Sequence, residues 1–469
     1  MFFFALHKNG SITIFRSLAM HLTMTRLRRK IGMATTRALA AVAMVSAGLL
    51  ATVPLQAQVK EVEVQAFRGG YGLDFFEKAA EEFNKANSGA KVTVSGAPHV
   101  WESLRVRLAA GTPPDLMWPG WGMDLRPVVM NGQLAPWDEY LDQPAYGVPG
   151  KTWRETFNPD ILKKGQFNGK TYVLPYNIDA YGWWYDKKLF EKHGWTAPAT
   201  YEEFLVLGEK MKAEGIAPLT FTGRYPIYFL NGIFYPWVVS EGGLEAFNDI
   251  SNLEPGAWRN PAVLKVAQRV MELKKKGYFQ GGCIGMNHTE AQMELLVHRA
   301  AMVPCGSWIQ AEMQNLLPPE FELTFMKTPH FEAGKGDPTA LYVGPDGKGW
   351  SLPVKGKNRD VAAEYYRYLS SPQKVADFIE QKGTMNAVAT ERPLNLPPHL
   401  EGPFAALQKA RVTWCNDIGD WYTELETDIE SEIVNMYNEV ITPEEFVERL
   451  EAESQAFSRK LGDNKLRWD

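Results

Sequence analysis

Residues 61–71 read Glu61-Val62-Glu63-Val64-Gln65-Ala66-Phe67-Arg68-Gly69-Gly70-Tyr71. Valine alternating with polar residues predicts a strand that ends at the paired glycines. The stretch Leu73 to Ala86 then places Phe76, Ala79, Ala80 and Phe83 at helical spacing. Lys91 to Ser95 predicts a second strand and Val100 to Ala110 a second helix. Asp115-Leu116-Met117-Trp118, after Pro113-Pro114, predicts a short third strand. The order β-α-β-α-β opens a doubly wound parallel sheet, so the fold class is α/β. Ligands of such sheets bind beyond the carboxyl ends of the strands. Here those ends carry Arg68-Gly69-Gly70-Tyr71 and Trp118-Pro119-Gly120-Trp121.

Downstream, Phe167-Asn168-Gly169-Lys170-Thr171 predicts a turn feeding a strand from Tyr172 to Pro175. Helical patterns follow at 201–213, 261–276 and 288–299, and strand material at 321–327 and 349–354. Helices are expected again at 360–382, 403–411, 418–440 and 443–458. Gly/Pro-rich segments at 334–349 and 391–403 are candidate crossings between parts of the fold.

The 469 residues are enough for two or three domains. Residues 1–57 hold seven basic residues and no acidic one. Without them, 43 basic residues face 55 acidic ones, a charge of about −12 that argues against nucleic acid and anionic membrane surfaces as partners. Arg26-Leu27-Arg28-Arg29-Lys30, an apolar run from Ala38 to Ala51, and Leu55-Gln56-Ala57 are the three parts of a secretory signal. The apolar run is short for a membrane-spanning helix, which needs roughly 20 residues; an N-terminal anchor is the competing reading. Export is expected, with a mature chain from about Gln58 and Met24 as an alternative start.

Three cysteines rule out a disulfide scaffold. In an exported protein a Cys283–Cys305 disulfide competes with two unpaired thiols, leaving Cys415 buried and inert. His288 and His298 lie ten residues apart on a predicted helix, about 15 Å along its axis, too far to share one zinc ion. No metal or cofactor is expected. The segment Gly165 to Thr171 has three residues between its glycines where a phosphate-cradling loop needs four, and it feeds a strand instead of a helix. No Gly-x-Ser-x-Gly or His-Glu-x-x-His motif occurs.

Aromatic residues make up 12% of the chain, with all 15 tryptophans beyond residue 100. Many, including Trp118, Trp121, Trp308, Trp350 and Trp421, neighbour glycine, proline or aspartate and not aliphatic runs. An indole at such a place can stack on the C–H face of a sugar while nearby Asp and Asn bond the hydroxyl rim; burial in the core is the alternative for each one.

From about residue 60 to its end, the chain resembles the extracellular solute-binding proteins of carbohydrate ABC transporters, the family of maltose-binding protein. The carrying segments are Pro114 to Trp118, Asn131-Gly132-Gln133-Leu134-Ala135-Pro136-Trp137, Gly169 to Asn177, Trp184 to Phe190, Pro198 to Phe204, and Ala300-Ala301-Met302 with Gly306-Ser307-Trp308. His298 departs from the resemblance, standing where the family commonly has glycine. Residues Arg411 to Leu450 look most like members that handle N-acetylglucosamine or its short oligomers.

The resemblance implies two α/β lobes of the type II periplasmic-binding fold joined by hinge crossings: 58–177 with 350–406, and 180–342 with 411–469. It implies a periplasmic, monomeric, non-enzymatic sugar binder that delivers its ligand to a membrane permease. Carried across, the ligand positions are Tyr71, Trp118, Trp121, Tyr176, Asn177, Asp179, Trp308, Trp350 and Trp421. A secreted glycoside hydrolase and a non-sugar binder on the same fold are the rivals.

Overall fold

The computed structural model describes residues 59–345, 348–388 and 395–467. The expected signal segment lies outside them, as does part of the second candidate crossing. Among the described residues no helix is long and apolar enough to cross a membrane.

The opening unit forms as the valine alternation requires. Strand β1 (Lys60–Phe67), helix α1 (Asp74–Ala86), β2 (Ala90–Ala97), α2 (Val100–Ala110) and β3 (Leu116–Trp118) build a parallel sheet in the order β2-β1-β3. Val62 and Val64 are buried in the core, and α1 packs on the sheet through β2, burying Phe76, Ala79, Ala80 and Phe83. Gly96 is required at the end of β2, because a Cβ there would sit 1.8 Å from the Ala66 carbonyl oxygen.

Helices α3 (Arg359–Leu369) and α4 (Pro372–Lys382) return to this sheet. They replace the single helix expected over 360–382, because Pro372 lacks the N–H that would continue the first one. Buried tyrosines fasten them: Tyr365 donates to the Phe76 carbonyl at 2.7 Å, Tyr366 to that of Leu174 at 3.0 Å. Bridges Met117–Ser351 and Leu174–Trp350 attach residues 350–351 to the same region.

The second sheet is built on β7 (Asn177–Asp186), preceded by β4 (Leu134–Ala135) and the hairpin β5 (Gln166–Phe167)–β6 (Lys170–Thr171). The hairpin turns on Asn168 and Gly169, both at positive φ (50° and 74°), as a tight Asn-Gly turn demands. Lys170 and Thr171, expected in the turn, pair with Phe167 and Gln166, whereas the strand expected from Tyr172 to Pro175 is reduced to a bridge at Leu174. The long strand β7 pairs with β11 (Leu341–Pro345) and β13 (Met385–Asn386) near its start, and with β9 (Ala300–Gly306) and β10 (Leu323–Met326) towards its end. Strands β8 (Ala217–Leu219) and β14 (Thr413–Trp414) close the edges in the order β14-β11-β7-β9-β8. Every residue of β7 except Tyr185 is buried, which hides it from an alternation search.

The helix expected over 288–299 ends at Leu296, because His298 turns left-handed (φ 56°) before β9. Its ring stacks on Phe321 and its Nε2 lies 2.9 Å from the buried Asp186 carboxylate, bonds that hold a non-glycine residue in a conformation glycine favours. The helix expected over 418–440 is two, Asp417–Trp421 and Thr423–Tyr437.

The Cys283–Cys305 disulfide is corrected. All three cysteines are free and buried. Cys283 Sγ lies 3.5 Å from the Tyr437 hydroxyl, whereas Cys305, inside β9, has Gln292 Nε2 at 3.6 Å, so the two sulfurs occupy different surroundings. Burial pushes the Cys283 thiol up to about 11, which keeps it protonated and unreactive.

Candidate functional site

Asp179, near the start of β7, is the point where the elements of both sheets converge. Its Oδ1 accepts hydrogen bonds from three hydroxyls: Tyr71 at 2.6 Å, Ser307 at 2.6 Å and Thr384 at 3.3 Å. Tyr71 comes from the loop after β1, Ser307 from the loop after β9, and Thr384 from the exit of α4. Oδ2 of the same carboxylate is buried without a hydrogen-bond partner. Burial raises the pKa of Asp179 to about 6, against the pull of the three hydroxyls.

Glycines let these loops meet. A Cβ on Gly70 would stand 3.1 Å from Glu312 Cγ, and one on Gly306 only 2.0 Å from the Trp308 ring. The indole therefore folds back over the end of β9. Trp308 is half-buried and meets Tyr181 edge-on at 5.4 Å and Tyr228 at 5.9 Å. Tyr228 in turn stacks on His288. One turn beyond Trp308, Glu312 accepts from Gln292 Nε2 at 2.7 Å and stands 3.8 Å from His288 Nε2. Its side chain is 19% exposed, and burial raises its pKa too. Two carboxylates thus lie beside an aromatic corner, and among the described residues neither is paired with a lysine or arginine.

Of the expected ligand residues, Tyr71, Asp179 and Trp308 come together here. Trp421 lines a separate small pocket with Lys164, Lys348 and Asp420. Its indole donates to the Lys164 carbonyl at 3.1 Å and its ring packs on Phe167. Lys348 Nζ donates to the carbonyls of Gly419 and Asp420, each at 2.8 Å. Asn177 is buried, opposite Asn386.

Trp118, Trp350 and Tyr176 stand elsewhere, and their place as sugar-stacking surfaces is corrected. The two indoles stack on each other at 5.4 Å, both against Phe76, and Trp350 has no exposed surface. Tyr176 packs on Phe76 and Phe378 and donates to the Leu369 carbonyl at 3.0 Å. Their faces are covered by other rings, so they hold the core. Trp121 is the opposite case, 54% exposed and leaning on Trp101.

Glu312, His288, Thr384, Tyr181 and Tyr228 join the site without having been singled out for it. Glu312 was within reach, since residues four apart share a helix face and Trp308 was already a candidate. Thr384 and Tyr228 carry no signal in the sequence; only the fold brings them near Asp179 and Trp308.

Residues 69–376 match the family of bacterial extracellular solute-binding proteins. The chain belongs to that family. Among similar proteins is the diacetylchitobiose binding protein NgcE of Streptomyces coelicolor, 29% identical over 322 residues that cover 68% of each chain. Another is a multiple sugar-binding protein of Streptococcus mutans, 22% identical over 343 residues, 71% of this chain and 77% of that one. A solved chitin oligosaccharide binding protein superposes with a TM-score of 0.71 at 22% identity, covering 85% of this chain and all of the other. The fold is accordingly the two-lobed type II periplasmic-binding fold that the sequence resemblance implies.

Proposed function

We propose that this solute-binding protein captures a carbohydrate between two lobes, 58–177 with 350–406 and 180–342 with 411–469, and presents it to the permease of an ABC importer. The observation that carries the reading is Asp179: a buried carboxylate at the crossing between the lobes, joined to Tyr71 on one side and Ser307 on the other, with one oxygen unpartnered. An orphaned buried acceptor is costly, and a sugar hydroxyl is a donor that would satisfy it. Trp308, with Tyr181 and Tyr228 behind it, offers the apolar face that a sugar ring stacks on.

Binding of this kind closes the protein by population shift and involves no covalent step. The likeness to NgcE supports a short oligomer of an amino sugar as ligand, and the order of residues 26–57 supports export to the periplasm with a mature end near Gln58. A thermal-shift series with mono- and oligosaccharides tests the reading. A ligand at 100 times its dissociation constant adds about 2.7 kcal/mol, so a clear rise in melting temperature with one sugar class is expected. No shift with any sugar, or turnover of the sugar added, would overturn it.

A further inference from the structure

The charge balance around Asp179 narrows the sugar class. Asp179 and Glu312 are both largely removed from water, burial raises the pKa of each, and Glu312 adds to the cost of ionising Asp179. The groups facing them are the hydroxyls of Tyr71, Ser307 and Thr384, the Gln292 amide, and one imidazole, His288, at 3.8 Å from Glu312. No lysine or arginine among the described residues bonds either carboxylate. The adjoining wall is Trp308, Tyr228 and Tyr181, and aromatic faces attract cations as well as C–H groups.

A neutral sugar would add hydrogen bonds to these carboxylates but bring no positive charge to them. A protonated amine on the ring would instead pair with them by charge-assisted hydrogen bonds and fill the vacancy at Asp179 Oδ2. Resting on the sugar reading above, we infer that the site takes an amino sugar with a free, protonated amine, as in a β-1,4-linked glucosamine oligomer, in preference to its N-acetylated or hydroxyl counterpart. The ammonium lies between Asp179 Oδ2 and Glu312, and the ring lies against Trp308.

Calorimetric titration of the full protein at near-neutral pH with the glucosamine disaccharide, the di-N-acetylated disaccharide and putrescine tests this. Charge-assisted hydrogen bonds are the stronger kind, so the free-amine disaccharide should bind at least ~10-fold more tightly than the acetylated one. Asp179→Asn and Glu312→Gln should each bring that ratio towards one, whatever they do to the absolute affinities. Equal or tighter binding of the acetylated disaccharide overturns the inference and leaves the sugar reading standing. Putrescine binding as tightly as the free-amine disaccharide also overturns it, because the site would then read an amine without a sugar. Failure of both disaccharides to bind overturns this inference and leaves the sugar reading to be decided by the wider thermal-shift series.

Discussion

The hydroxyl of Tyr71 donates a 2.6 Å hydrogen bond to Asp179 Oδ1, joining residues 108 positions apart in the sequence. Tyr71 follows the first strand of the parallel sheet, and Asp179 belongs to the central strand of the other. The bond is buried and goes to a carboxylate, which places it among the stronger kinds.

Tyr71→Phe keeps the ring against Phe378 and removes that bond. Ser307 and Thr384 still serve the same oxygen. Sugar affinity should fall by ~10-fold, and loss of a buried bond to a carboxylate should also lower stability by about 1.5–3 kcal/mol. Titration calorimetry beside a thermal melt separates the two, and an unchanged affinity would show that Tyr71 takes no part in the site.

Trp308 and Trp350 should respond in opposite ways. Trp308 is half-buried beside Asp179, so Trp308→Ala should weaken sugar binding at least ~10-fold, about 1.4 kcal/mol. Trp350 is fully buried on Trp118, so Trp350→Ala should cost about 3–5 kcal/mol of stability by opening a cavity. Urea unfolding of both variants checks this; the assignment fails if Trp350→Ala unfolds like the wild type.

That contrast marks how far the sequence could be read. The strand ending at Phe67 and the helices behind it were legible because one face of each is apolar, and a pattern of one face survives in the sequence. Strand β7 was not, because Asn177 to Asp186 is enclosed on both faces and mixes glycine, aromatics and acids. Tryptophans beside glycine or proline were the right place to look, but the neighbours that decide exposure are remote in sequence. Trp118 is covered by Trp350, 232 positions away, and Trp121, three residues on, is covered only in part by Trp101. Tyr71 was marked by the end of the first strand as well as by the family likeness, and Asp179 by the likeness alone; their bond came only from the fold.

Buried acids should make the protein less stable as pH rises. Burial lifts Asp179 and Asp420 to about 6, and burial with the nearby Glu430 lifts Glu426 to about 8. Acids with raised pKa bind protons more tightly in the folded state, so their contribution is complete below the unfolded values and is lost as pH rises through about 6 and then about 8. The melting temperature should therefore fall from mildly acidic to mildly alkaline pH. Glu426→Gln, which keeps the oxygen that accepts from Asn416, should flatten the alkaline part of that fall. Parallel pH profiles for variant and wild type would count against it.

His298 stands at φ 56° and bonds Asp186. Alanine there loses the bond and keeps the strain, so His298→Ala should destabilise the protein by about 1–2 kcal/mol. His298→Gly loses the same bond and sheds the strain, and should be more stable than the alanine variant by about 1 kcal/mol. Chemical denaturation of the pair decides it; equal stabilities would mean the turn carries no strain.

In the proposed closing motion, Lys164 and Asp417 would serve as a latch. Lys164 Nζ lies 3.0 Å from Asp417 Oδ2, with the side chains only 17% and 3% exposed, and Trp421 donates to the Lys164 carbonyl. By the proposed division Lys164 belongs to the first lobe and both partners to the second, so opening must break these contacts and return two charges to water. Breaking a buried pair by removing one member is costly, because the other is left uncompensated. Lys164→Met should therefore bias the protein towards the open form. A sugar that touches both lobes then has to supply more of the closing free energy, and apparent affinity falls with the population of the closed form. Small-angle scattering measures this directly. The wild type should have a smaller radius of gyration with saturating sugar than without. Lys164→Met should match the larger radius without sugar and need more sugar to reach the smaller one. Equal radii for the wild type in both conditions would remove lobe closure as the mechanism, and an unaltered titration for Lys164→Met would remove this pair as its latch.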